Sequence, residues 1–128
     1  MHRRIVPDIV SETTVCGLPE TATVFEAAQR MADQNVGAVV VTDESGKLRG
    51  IFTERDITRR VVTKGRDPSA TPLADVMTPD PDVLLPDDPA MRALETMQAN
   101  RYRHMPVVER NGTVVAVLSI RDLYEVYV

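Results

Sequence analysis

Residues 50–56 read Gly50-Ile51-Phe52-Thr53-Glu54-Arg55-Asp56, and residues 116–122 read Ala116-Val117-Leu118-Ser119-Ile120-Arg121-Asp122. In both, an apolar run ends in a hydroxyl residue and a carboxylate follows three residues later. These stretches close a longer repeat. Met31 to Ile57 (MADQNVGAVVVTDESGKLRGIFTERDI) aligns without a gap with Met97 to Leu123 (MQANRYRHMPVVERNGTVVAVLSIRDL), sixty-six residues further on. Gly46 falls on Gly112, Thr53 on Ser119, Arg55 on Arg121 and Asp56 on Asp122. An internal repeat constrains the fold before any local feature does. Two copies are too few for a solenoid but suit a pseudo-twofold domain, with matching residues facing each other across a cleft.

Upstream of each copy's turn, the spacing predicts a helix and then a hairpin. Val24, Ala27, Ala28 and Met31 recur at helical spacing, as do Ala90, Ala93, Leu94 and Met97. Thr23 and Glu26 have the spacing of a capping box, and Asp88-Pro89 reads as an N-cap followed by proline at the first helical position. The helices are expected to end near Asn35 and Asn100, with Gly37 helping to stop the first. Turn clusters at Asp43–Gly46 and Glu109–Gly112 separate the hairpin strands. The run Ala38-Val39-Val40-Val41 does not alternate, so its strand is expected to be covered on both faces. Short strands are expected ahead of each helix, at Thr13–Cys16 and Asp82–Leu85. Final helices start near Thr53 and Ser119, and Leu123, Val126 and Tyr127 share a face of the second. Each copy is therefore read as β-α-β-β-α, an α/β (α+β) unit.

Composition narrows the function classes. The 128 residues are one domain's worth of chain, with 43% hydrophobic and 27% charged content. A net charge of −4 argues against a nucleic-acid binder. The longest apolar run is far too short for a membrane span, and no apolar core segment or small-residue cleavage site follows the basic N-terminus, so no signal peptide is expected. A single cysteine, Cys16, allows no internal disulfide, which fits a cytoplasmic location. Cys16 itself reads as a small buried hydrophobe. Motifs for a P-loop, a zinc protease, a nucleophile elbow or a dinucleotide fold are absent, so no enzyme is expected. The two histidines, His2 and His104, have no cysteine cluster beside them, and no metal site is expected.

The hydroxyl–carboxylate turn admits two readings. Residues three apart share a helix face, so Thr53 and Asp56 can address one ligand. Helix N-termini attract phosphate, and an ionised Asp accepts two hydrogen bonds from adjacent ribose hydroxyls. A small residue at position 50 would let such a ligand approach the backbone. The same spacing is also a capping arrangement with a purely structural role.

The helix ending in methionine, the hairpin and the T-x-x-D turn together resemble the CBS domain, named after cystathionine β-synthase. The pattern stands as VVVTDESGKLRGIFTERDI and HMPVVERNGTVVAVLSIRDL, joined by DVMTPDPDVLLPDD. It extends from about Asp8 to Leu123 and looks like a stand-alone bacterial CBS pair, or Bateman module. On this reading residues 8–62 are the first repeat, 63–76 a linker and 77–128 the second repeat. The resemblance implies tandem repeats that bind an adenosine-containing ligand between them: AMP, ADP or ATP, with NAD or S-adenosylmethionine as alternatives. Thr53 and Asp56, and Ser119 and Asp122, would contact phosphate and ribose. Val15, Val36, Ala38 and Ile51 would enclose adenine at one site, and Val83, Met105, Pro106 and Val117 at the other. The resemblance also implies a homodimer packed through helices and a regulated protein partner. Ala116 departs from the usual glycine, so the first copy carries the fuller motif.

Outside these turns, Arg103 and His104 stand where related modules reach a ligand phosphate; a solvated loop is the alternative. Arg121 could pair with phosphate or with a neighbouring carboxylate. Arg59, Arg60, Lys64 and Arg66 read as the wet face of a helix and its exit loop, with nucleic-acid contact as a weaker reading. The expected function is an adenine-nucleotide sensor that passes a conformational change to a partner. The alternative is a dimerising scaffold for protein interaction, with vestigial nucleotide clefts.

Overall fold

Helix α1 (Val24–Gln34) buries the face predicted for it, with Val24, Ala27 and Met31 inside. The Thr23 hydroxyl accepts a hydrogen bond from the Glu26 amide at 3.1 Å, which satisfies one of the free donors of the first turn. The helix stops at Asn35 rather than through Gly37. Asn35 adopts the left-handed conformation (φ 54°, ψ 49°), and the Val36 amide returns to the Met31 carbonyl at 3.0 Å. Asparagine tolerates this region because its short polar side chain compensates locally. The computed structural model describes residues 3–10 and 17–127. The chain divides into two compact units, Cys16–Pro81 and Met1–Val15 with Asp82–Val128.

In the first unit, strands β1 (Ala38–Thr42) and β2 (Leu48–Thr53) form an antiparallel hairpin, with Val39 opposite Phe52 and Val41 opposite Gly50. Gly46 takes φ 81° in the connecting turn, where a side chain would be strained. The Asp43 carboxylate accepts from the Ser45 and Lys47 amides at 2.8 and 3.0 Å. Val39, Val41 and Phe52 pack with α1, Val61, Leu73 and Met77 into one apolar core. As expected for a strand covered on both faces, Val39, Val40 and Val41 are all buried. Fully burying a side chain of this size contributes about 1.5–3 kcal/mol. The exposed Arg49–Glu20 ion pair, 3.0 Å long, is screened by water and adds little. Apolar packing therefore holds the unit.

Strand β3 (Thr78–Pro79) pairs with β2 opposite Gly50 and Ile51. A Cβ placed on Gly50 would lie 2.6 Å from the Met77 sulfur and 2.8 Å from the Thr78 carbonyl oxygen. The space beside Gly50 is thus filled by the chain's own segment, which corrects the expectation that it admits a ligand to the backbone. After β2 the chain enters helix α2 (Glu54–Asp56), which continues in wider π-helical turns over Ile57–Val62.

The second unit repeats this plan. Helix α3 (Ala90–Asn100) buries Ala90, Ala93 and Met97, and Arg101 takes the left-handed cap (φ 60°). Strands β4 (His104–Val108) and β5 (Val114–Ser119) pair antiparallel and lead into helix α4 (Ile120–Tyr127). Both hairpins shift register at the equivalent place, Val41/Thr42 and Val107/Val108. Proline at position 89 is the N-cap, not the first helical residue, and no side chain caps this helix. The Asp88 carboxylate instead accepts from the Leu85 amide at 2.8 Å. The expected strand over 82–85 reduces to one parallel bridge, Leu84 to Val107, matched by Leu18 to Val41 in the first unit. Its expected counterpart at Thr13–Cys16 lies outside the described residues.

Each unit is completed by a segment distant in sequence from the helix it covers. Leu73 and Ala74 amides donate to the carbonyls of Ala22 and Glu20 ahead of α1, at 2.8 and 3.0 Å. Ile5 and Val6 do the same to Asp88 and Pro86 ahead of α3, at 3.0 and 2.9 Å. The first amides of the two helices, Val24 and Ala90, are received by the carbonyls of Thr71 and Arg3. Leu73 and Ile5 are fully buried in the respective cores. No helix among the described residues is long and apolar enough to cross a membrane.

Candidate functional site

The end of each hairpin delivers its hydroxyl residue to the start of the following helix. In the first unit Thr53 is the N-cap of α2, held in extended conformation by its pairing with Ala38. The Glu54 amide donates to the Gly37 carbonyl at 3.0 Å, and the equivalent Ile120 amide donates to Arg103 at 2.8 Å. Both turns are therefore tied to the loop that enters the same hairpin.

Thr53 and Asp56 form a reciprocal capping box. The Asp56 amide donates to the Thr53 hydroxyl at 3.2 Å, and the Thr53 amide donates to Asp56 Oδ2 at 2.9 Å. The Thr53 hydroxyl also lies 3.1 Å from that oxygen. Asp56 Oδ1 faces Arg60 Nε at 3.5 Å, and the carboxylate keeps 14% of its side-chain exposure. The structural reading of the spacing is thus realised, with the carboxylate still reaching solvent. The second turn is looser. The Ser119 amide donates to Asp122 Oδ2 at 2.8 Å, but the Ser119 hydroxyl accepts from Arg121, two residues on, at 3.1 Å.

Pairing register sorts the remaining candidates onto sheet faces. Ala38 opposes Thr53, and Val40 opposes Ile51. Side chains alternate along a strand, so these four share the face opposite the Val39–Phe52 core. His104 with Ser119 and Pro106 with Val117 occupy the equivalent face of the second hairpin. Met105 lies on the other face, fully buried in the core with Val107 and Leu118. Val40, the counterpart of Pro106, was not among the sequence candidates; the sixty-six-residue offset would have found it. Val36 and Val83 sit outside the strands, 43% and 41% exposed. Val15 lies outside the described residues. Arg103 and Arg121 are exposed, and His104 and Arg101 have interactions of their own.

Two of the four residues read as a basic wet face serve the chain itself. Arg60 donates to the Val76 and Met77 carbonyls, both at 3.1 Å, and Arg66 lies 4.0 Å from Asp75. Near β4, the Tyr102 hydroxyl donates to Asp82 at 2.5 Å, and this bond to a carboxylate pushes its pKa above the usual 10.0. Among the described residues no group of three His, Cys, Asp or Glu could hold a metal ion.

Comparison with known proteins agrees with this architecture. The CBS domain-containing protein CBSCBSPB5 of Arabidopsis thaliana is 44% identical over 109 residues, which is 84% of this chain. The chain spans only 20% of that protein's length. A CBS domain protein from Pyrobaculum aerophilum, solved in complex with AMP, superposes with a TM-score of 0.84 at 36% identity, covering 94% of this chain and 90% of that one. A CBS-domain containing protein from Agrobacterium tumefaciens superposes with a TM-score of 0.83 at 31% identity, covering 97% and 99%. The CBS domain pattern matches twice, over residues 3–63 and 73–128, so the chain belongs to the CBS domain family and carries the domain in two copies.

Proposed function

We propose that the chain is a regulatory, non-catalytic module that binds an adenosine-containing ligand through its two hydroxyl–carboxylate turns. The carrying observation is the shared face of Ala38, Val40, Ile51 and Thr53, which ends at the Asp56 carboxylate. Ala38, Val40 and Ile51 are buried, so a base would insert among covered apolar side chains, next to the hydroxyl and carboxylate groups that suit phosphate and ribose. Among the described residues Asp56 Oδ1 is held by a long ion pair, which ribose hydroxyls can replace. Arg103, His104 and Arg121 supply cationic or hydrogen-bonding groups around the second turn. The AMP complex of the Pyrobaculum protein supports AMP, ADP or ATP as the ligand class, with NAD and S-adenosylmethionine as alternatives. The working form in this proposal is a cytoplasmic homodimer that shifts between arrangements when ligand binds and so signals to a partner protein.

Native mass spectrometry of freshly purified protein, followed by calorimetry with AMP, ATP, NAD and S-adenosylmethionine, tests the proposal. A co-purified adenosine compound, or saturable heat with one of the four, is expected. No binding of any of them at millimolar concentration overturns it.

The closed capping box at Thr53 favours a second reading, a dimerising scaffold with vestigial nucleotide sites. Phe25 and Met91, at equivalent positions on α1 and α3, are both large and exposed, as a helix-packed dimer requires. Nucleotide-free protein with undiminished dimerisation in Asp56→Ala/Asp122→Ala would favour this reading.

A further inference from the structure

One guanidinium joins the first turn to the segment that precedes β3. Arg60 Nη1 donates to the carbonyls of Val76 and Met77, both at 3.1 Å, while its Nε lies 3.5 Å from Asp56 Oδ1. Asp56 and Arg60 are four residues apart, so they meet on one helix face. Val76 and Met77 are buried directly after the short helical turn Leu73–Asp75. Carbonyls at the end of a helical turn need donors from elsewhere. Arginine suits the task because its planar fork presents several N–H groups in fixed directions, which lysine does not. The ion pair with Asp56 fixes the direction of that fork.

We infer that Arg60 is a positioning residue that couples occupancy of Asp56 to the hold on residues 76–80. The inference rests on the reading of Thr53 and Asp56 as ligand contacts. Ribose hydroxyls that donate to Asp56 Oδ1 compete with Arg60 Nε for the same oxygen. Once that anchor is lost, the guanidinium no longer points at Val76 and Met77, and their carbonyls lose a charged donor. The segment that packs over Gly50 and pairs with β2 then loosens. At the position equivalent to Arg60 the second unit has Val126, which carries no donor, so the device belongs to the first turn alone.

Amide hydrogen exchange of the full chain, with and without saturating AMP, tests the coupling. The Val76 and Met77 amides donate to Leu73 at 3.1 and 2.8 Å, and the Asp80 amide donates to Arg49 at 3.2 Å, so each reports on the segment. AMP is expected to speed exchange at these three amides about threefold or more in the native protein. In Arg60→Gln exchange is expected to be fast already and unresponsive to AMP, and in Arg60→Lys intermediate. Calorimetry on each protein sets equal saturation. A merely structural Arg60 would raise the baseline in Arg60→Gln and leave the native protein without an AMP response. AMP binding with unchanged exchange in the native protein overturns the coupling and leaves the ligand reading standing. Where ATP, NAD or S-adenosylmethionine binds in place of AMP, the same exchange comparison is made with that ligand, and absence of binding by all four overturns both. The native comparison decides the matter even if Arg60→Gln fails to fold.

Discussion

Thr53 and Asp56 hold each other's backbone amides, at 3.2 and 2.9 Å, whereas Ser119 and Asp122 complete only one half of the same exchange. The two turns are chemically alike in sequence and unequal in structure. Thr53→Ala is expected to destabilise by about 1 kcal/mol, the usual value of a lost N-cap. Ser119→Ala is expected to cost less, because the Ser119 hydroxyl makes one bond, to the Arg121 amide, whereas the Thr53 hydroxyl both accepts from the Asp56 amide and donates to its carboxylate. Urea unfolding of the two variants checks the order, and equal losses would contradict it.

Gly50→Ala places a methyl 2.6 Å from the Met77 sulfur and 2.8 Å from the Thr78 carbonyl oxygen. The flexible thioether can move aside, but the backbone oxygen can do so only if β3 shifts. Overpacking of this kind costs about 1–3 kcal/mol. Met77→Ala in the same chain should recover only part of that loss, since Thr78 stays in place. A double-mutant cycle of unfolding free energies measures the recovery. Full rescue would mean that Met77 alone excludes the side chain.

Much of this architecture was legible in the chain, for reasons particular residues make plain. Met31 and Met97 recur at helical spacing with small apolar residues, and that pattern has no other low-energy home than a buried helix face. The turns at Gly46 and Gly112 were readable because only glycine adopts φ 81° and 94° without strain. The docking of 3–10 and 70–77 was not legible, because backbone amides and carbonyls make it, and every sequence offers those. For the same reason Arg60 read as a surface cation; its partners are two carbonyls sixteen and seventeen residues away. Of the candidate site, the hydroxyl–carboxylate pairs and the residues facing them were visible as a repeat. That Met105 points into the core followed only from the register opposite Leu118.

The hairpin turn of the first unit is held by a titratable side chain, Asp43. Amide hydrogen bonds from Lys47 and Ser45 hold the Asp43 carboxylate below its usual pKa of 3.8. A carboxylate whose folded pKa lies below its unfolded one adds stability above the unfolded value, and loses it as pH falls through the folded value. The Asp43 contribution is therefore present at neutral pH and lost only below about 3.8. In the second turn the side chain that accepts from a turn amide is Asn111, from Thr113 at 2.9 Å, and a carboxamide does not titrate. NMR titration should show the Lys47 amide moving with a midpoint below 3.8, with no such movement in Asp43→Asn.

Asp56→Asn separates the two roles of that carboxylate. The amide oxygen of asparagine can still accept from Thr53, so the helix start should survive with a stability loss within about 1 kcal/mol. The charge that pairs with ribose hydroxyls and with Arg60 is gone. AMP affinity is expected to fall at least about tenfold, equivalent to ~1.4 kcal/mol, while Arg66→Ala leaves it within about twofold. Calorimetry on the three proteins checks this, and equal affinity in Asp56→Asn and the native chain would remove Asp56 from the site.

The most direct test of the central claim is an amide NMR titration of the native protein with AMP. The account predicts saturable shifts that are largest at Thr53 and Asp56, with Ala38, Val40 and Ile51 following the same isotherm, or at Ser119 and Asp122, with His104 and Val117 following, or at both sets. Saturable shifts that leave all four of those turn residues unmoved, or no saturable shift with AMP, ATP, NAD or S-adenosylmethionine, would contradict it.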